Sequence, residues 1–116
     1  SGILSVLQKG RMGETYCIGG ASERTNMKVI DTLCDILDRH HPSGAPHKQL
    51  KNFVTDRPGH DHRYAIDFSK IQNELGWQPS YSFDEGMEQT VEWYINHDEW
   101  CENVTSGKYQ RERLGI

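Results

Sequence analysis

The chain has 116 residues, 34% of them hydrophobic and 26% charged, with a formal net charge of −4. That leaves room for one small domain, or part of a larger one, around a modest core. The acidic balance offers no wide basic face for a nucleic-acid backbone, and no apolar run approaches the roughly 18 residues that cross a bilayer. Neither nucleic acid nor membrane is therefore an expected partner, and no signal peptide opens the chain.

Ile3 to Gln8 is mostly apolar and predicts a helix ending at Gly10. A helix that starts almost at residue 1 without a side-chain cap looks like the end of a longer element. Glu14 to Ile18 is rich in strand formers and stops at Gly19-Gly20, which predicts a strand running into a loop. From about Asn26 to His40, the apolar residues Ile30, Leu33, Cys34 and Leu37 follow the i, i+3, i+4, i+7 spacing of an amphipathic helix. Thr25 or Asn26 is placed to cap it, and Pro42, Gly44 and Pro46 end it in a loop. Asn52 to Thr55 and Arg63 to Ile66 are expected as short strands on either side of a Pro58-Gly59 turn.

Asp67 is placed to cap a short helix over Ser69 to Leu75, with Gly76 just beyond its end. Ser82 and Glu85 have capping-box spacing, and Met87, Thr90, Val91, Tyr94 and Ile95 line one face of the helix behind it, to about His97. The domain is expected to span 1–104, followed by a polar tail over 105–116 that lacks periodicity. The three cysteines, Cys17, Cys34 and Cys101, fit neither a zinc spacing nor a disulfide framework. Cys34 lies in the helical stripe and is expected buried, and free thiols point to a reducing compartment, the cytoplasm. The sequon Asn103-Val104-Thr105 is taken as chance in that setting.

Chemistry concentrates in Asp56 to Tyr64, where two arginines and two histidines fall together in an acidic chain. Pro58 denies a helix and Gly59 permits close approach of the backbone. Arg57 offers a planar donor fork matched to phosphate oxygens, while His60 or Asp61 could bond a sugar hydroxyl or steady Arg57. The same residues would also make an exposed turn of paired surface charges. His60 and His62 supply only two metal ligands where zinc needs three or four. Asn26 is a helix cap by its residue type, and equally a polar group where free amides and the helix dipole favour an anion.

Redox motifs are missing. Gly10-x-x-Gly13 starts the spacing of a dinucleotide turn, but Tyr16 stands where the third glycine belongs. No tyrosine has a lysine four residues later, so a tyrosine-lysine acid/base pair is absent too. Trp77, Trp93 and Trp100 could stack a sugar or a base, although aromatics at these spacings more often belong to the core or its edge. Trp93 is expected half-buried beside its helix stripe, and Trp77 against the loop after Gly76.

Three blocks carry a resemblance: Gly13-Glu-Thr-Tyr-Cys-Ile-Gly-Gly20, Glu23-Arg-Thr-Asn26, and Val54-Thr-Asp-Arg-Pro-Gly-His-Asp-His-Arg-Tyr-Ala-Ile-Asp67. Glu74-Leu-Gly-Trp77 and Thr90-Val-Glu-Trp-Tyr94 continue it in the same order. Together they resemble the C-terminal half of the dTDP-glucose 4,6-dehydratases, extended short-chain dehydrogenase/reductases. Cys17 departs from a frequent Asn of that family, and Asp84 from a frequent Glu.

The resemblance implies an α/β fold, in which this piece is the small substrate-binding domain, mostly helices with a few short strands, and the Rossmann domain is absent. It implies dTDP-glucose as substrate, held by Asn26, Arg57, Pro58, Gly59, His60 and Asp61, with Arg57 as phosphate clamp. It also implies NAD held by an N-terminal Rossmann domain, homodimerisation of the full-length protein, and deoxysugar products such as a rhamnose precursor. The catalytic residues would lie in that other domain, so the chain alone is expected to be inactive. A related UDP- or GDP-sugar dehydratase, epimerase or decarboxylase is the nearest competing expectation, and a non-catalytic binding module the more distant one.

Overall fold

The computed structural model describes residues 1–107. Five α-helices follow in order: α1 (Gly2–Lys9), α2 (Asn26–His40), α3 (Ser69–Leu75), α4 (Phe83–Ile95) and α5 (Asp98–Thr105). Two 3-10 turns, Pro42–Gly44 and His47–Leu50, fill the loop after α2. No strand forms among the described residues.

The helix ends follow local chemistry. Thr25 Oγ1 accepts from Lys28 N at 3.2 Å and starts α2. The Ser82–Glu85 capping box forms in both directions, which satisfies two amides that the first turn of α4 would leave open. Asp67 Oδ1 accepts from Ser69 N at 2.8 Å, so it caps α3 from two residues upstream. Gly76 ends α3 in the left-handed region at φ 69, a conformation that costs a glycine little. Ile95 ends α4 two residues earlier than the sequence suggests. There Asn96 Nδ2 donates to Glu92 O at 2.8 Å, and the His97 ring meets Trp93 O at 2.6 Å, capping the final carbonyls.

The expected α/β piece, mostly helices with a few short strands, is borne out in its helices and corrected in its strands. Glu14 to Ile18, Asn52 to Thr55 and Arg63 to Ile66 have strand-forming residues but none forms a strand, because strand structure needs a ladder between two segments and no ladder forms among the described residues. The first is instead clasped by α3. Lys70 Nζ donates to Glu14 Oε2 at 2.6 Å and to Thr15 O at 3.1 Å, and Glu74 takes Tyr16 Oη at 3.0 Å and Arg11 at 2.8 Å. Helix α5 begins with Asp98 and Glu99, acids that suit a helix N-terminus, and carries the chain to Thr105. The rest of the expected tail, 108–116, lies outside the described residues.

The core is small: Cys34, Ile36, Ile71, Leu75 and Val91. Helix α2 packs chiefly against α4, and α1 against α3. The predicted α2 stripe is only partly buried. Cys34 is inside as expected, but Ile30 is 37% exposed and Ile36, outside the stripe, is 2% exposed. The reason is that α2 is used on two sides, by α4 and by the His47–Leu50 turn. That second side carries two ion pairs and a carboxylate–imidazole hydrogen bond one turn apart: Asp31 with Lys51 at 2.7 Å, Asp35 with Lys48 at 2.5 Å, and Asp38 with His47 Nδ1 at 2.5 Å. On α4, Val91 is buried while Thr90 and Tyr94 face out. Trp77 packs edge-on to Phe68 and bonds Ser1 Oγ at 3.0 Å. Trp93 is 40% exposed and stacks on His97 at 4.3 Å.

Candidate functional site

The segment around Pro58 folds as the sequence requires. Arg57 O accepts from His60 N at 3.3 Å across a turn whose third residue, Gly59, has φ 70. Asp56 secures it from outside, its Oδ1 accepting from Arg57 N at 2.8 Å and meeting His60 Nδ1 at 2.7 Å. These bonds, His60 first, hold the Asp56 carboxyl below its ordinary value. Asp61 takes Tyr64 Oη at 2.6 Å. Arg57 itself forms no ion pair among the described residues, so its fork is the uncommitted positive charge of the turn.

Downstream, Arg63 turns back toward the loop before α2. Its Nε and Nη2 both donate to the Glu23 carboxylate, the Nη2 bond being 2.7 Å. Each partner shifts the other toward its charged form: the Glu23 carboxyl is lowered and the Arg63 guanidinium raised. This fork-on-fork pair joins two arms distant in sequence. Between them opens a cleft of about 780 Å³, walled by Glu23 to Met27 on one side and His60 to Tyr64 on the other. A smaller cleft of about 420 Å³ adjoins it, between Gly19 to Glu23 and Tyr64 to Ile66.

Of the residues singled out in the sequence, Asn26, His60 and Asp61 therefore line one cleft. Arg57, Pro58 and Gly59 form the adjoining turn and are not part of that wall. Glu23, Arg63 and Tyr64 also line it; Arg63 and Tyr64 lay in the segment singled out from sequence, but none of the three was assigned to the substrate. The signal for the first two was present in their opposite charges, one in each flanking block, but nothing in the sequence sets their distance. The cleft holds donors from Arg24, Asn26 and Arg63 next to the acceptors of Glu23 and Asp61, a mixture suited to a polar ligand bearing both phosphate and hydroxyl groups.

A family model described as GDP-mannose 4,6 dehydratase matches residues 2–90, and so covers the helices α1 to α3, both arms of the cleft and the turn at Gly59. The chain belongs to this family. Among similar proteins, a dTDP-glucose 4,6-dehydratase of Xanthomonas campestris pv. campestris is 51% identical over 115 residues, which cover 97% of this chain and 33% of that protein. One from Escherichia coli is 48% identical over 108 residues, covering 93% and 30%. A crystal structure of dTDP-glucose 4,6-dehydratase from Bacillus anthracis in complex with NAD is similar in fold, with a TM-score of 0.74 at 42% identity, over 85% of this chain and 29% of that one. The chain thus spans about a third of the length of the curated relatives it matches.

Proposed function

We propose that this member of the GDP-mannose 4,6 dehydratase family is the C-terminal, nucleotide-sugar-binding portion of a dTDP-glucose 4,6-dehydratase. The observation that carries the proposal is the meeting of Asn26 with His60 and Asp61 across one cleft, beside a turn whose Arg57 has no ion-pair partner among the described residues. The ligand's diphosphate lies at this turn, with Arg57 as its clamp, and Asn26 receives the region between phosphate and ribose. Tight hold on the unreacting nucleotide lets remote binding energy orient the sugar for chemistry elsewhere.

The whole protein converts dTDP-glucose to dTDP-4-keto-6-deoxyglucose on this proposal, as an NAD-dependent hydro-lyase of deoxysugar synthesis. NAD would supply the hydride acceptor and donor. The residues described here do not fit that group: Gly13, at φ 84, follows a helix and a loop, and no strand, glycine turn and helix succeed one another to receive a pyrophosphate. The cofactor and catalytic groups are accordingly assigned to the rest of the protein, and the present chain alone is taken to be inactive. Its exposed apolar arms support packing against that remainder, Phe53 being 81% and Val54 65% exposed. No helix in the described residues is long and apolar enough to cross a membrane.

Membership of the GDP-mannose 4,6 dehydratase family favours one competitor, a GDP-sugar substrate. Steady-state turnover of dTDP-, UDP- and GDP-sugars by the full-length protein separates the two. Preference for dTDP-glucose is expected, and preference for a GDP- or UDP-sugar would overturn the proposal. In the same protein, Arg57→Ala should weaken dTDP-glucose binding roughly tenfold to a hundredfold, the usual loss for a charge-assisted bond. Unchanged affinity by calorimetry would remove Arg57 from the clamp.

A further inference from the structure

Away from the cleft, the end of α2 meets α4 through a group of side chains to which the proposed substrate site gives no role. His40 is the last residue of α2. Glu88 and Glu92 stand one turn apart on α4 and so share a face. His40 Nε2 lies 2.5 Å from Glu88 Oε1 and 3.8 Å from Glu92 Oε1. One ligand atom from each residue falls within 4.8 Å of the others, the one such three-residue group among the described residues.

We infer that His40, Glu88 and Glu92 form a divalent-metal site, suited to zinc, that ties α2 to α4. Bonds of about 2.0–2.2 Å place tetrahedral ligand atoms roughly 3.3–3.5 Å apart. Glu92 therefore closes by a few tenths of an ångström, and His40 and Glu88 separate by somewhat more. All three side chains are partly exposed and can make these adjustments by rotation, with water completing the shell.

The donor set decides the class of ion. One imidazole with two carboxylates suits zinc and its neighbours, whereas magnesium and calcium favour oxygen alone. Charge also distinguishes the group from ordinary surface pairing. Asp31, Asp35 and Asp38 on α2 are each matched by a lysine or histidine, and Arg39 holds the second oxygen of Glu88. Among the described residues no lysine or arginine pairs with Glu92 and only the His40 ring stands near it, so an added dication meets an unbalanced carboxylate. Arg39 leaves Glu88 one oxygen for a metal.

The test is titration of the 116-residue chain, and of the full-length protein, with zinc chloride, followed by calorimetry and thermal melts. One equivalent should bind and raise the melting temperature by several degrees, while magnesium has no effect. His40→Gln and Glu92→Gln, each checked for native circular dichroism, should each lose at least tenfold in zinc affinity and abolish the rise. Cys17, Cys34 and Cys101 are free thiols that could capture zinc adventitiously. Cobalt(II) resolves this, because thiolate ligation adds an intense sulfur-to-metal absorption band that a nitrogen and oxygen site lacks. A thiolate band, undiminished binding in both variants, or no binding by the native chain would each overturn the inference.

Discussion

At the scale of single residues, the turn at Gly59 is the most constrained position in the proposed site. Its φ of 70 lies in the left-handed region, yet an added Cβ would meet nothing within 4 Å. Gly59→Ala therefore costs backbone strain alone, on the order of 1–2 kcal/mol, with no packing loss. Because the turn is exposed and outside the core it can relax to relieve that strain, so the melting temperature should change little while the displaced turn loses nucleotide affinity. Gly59→Asn should recover much of that affinity, since asparagine tolerates this conformation. Calorimetry with dTDP on the full-length variants, beside thermal melts, would show whether the two effects separate. This turn was legible in the sequence because Pro58 and Gly59 restrict the backbone directly. The capping box at Ser82 was legible for the same local reason. Ile36 was not, because 3.6-residue periodicity assumes one buried face and α2 is packed on two.

At the scale of elements, α2 and the following 3-10 turn are held by the ladder of Asp31, Asp35 and Asp38 against Lys51, Lys48 and His47. Lys51 holds the Asp31 carboxyl below its ordinary value, and His47, through its backbone amide first, does the same for Asp38. Groups with lowered folded values contribute stability above their unfolded value near 3.8, and lose it as pH falls through the folded one. The Asp35 hydrogen bond raises Lys48, whose contribution is present below 10.5 and lost as pH climbs through the raised value. Melting temperature followed by circular dichroism should thus be flat from about pH 5 to 9 and decline on both sides. Asp31→Asn should blunt the acid decline, and an unaltered acid limb would show that the ladder carries none of it. Helices α2 and α3 were legible end to end because caps and glycine mark them. The three strands were misjudged because a strand is a property of two segments, and composition describes only one. Helix α5 was missed because eight residues offer too few turns for a periodic signal.

At the scale of the whole molecule, the chain is open. Its accessible surface is 9587 Å², against roughly 6500 Å² for a compact monomer of its 13.4 kDa mass. The radius of gyration is 18.0 Å, where about 13 Å is usual for this length. So few buried residues leave little reserve. Ile71, with 0% exposure, is the most deeply placed of them. Ile71→Ala should remove about 2–5 kcal/mol, a large share of a small domain's stability, and urea denaturation should find the isolated variant largely unfolded in buffer. The cleft was half legible for a related reason: its blocks are local, but their apposition depends on Glu23 reaching Arg63. That pair also fastens the neck of a lobe containing everything from Arg24 to His62, α2 included. Both partners face solvent, with 66% and 47% of their side-chain surface open, so dissolved salt screens the fastening much as it screens a bound phosphate. A concentrated electrolyte should therefore weaken two things together, the tie between the arms of the cleft and the hold on an anionic ligand between them.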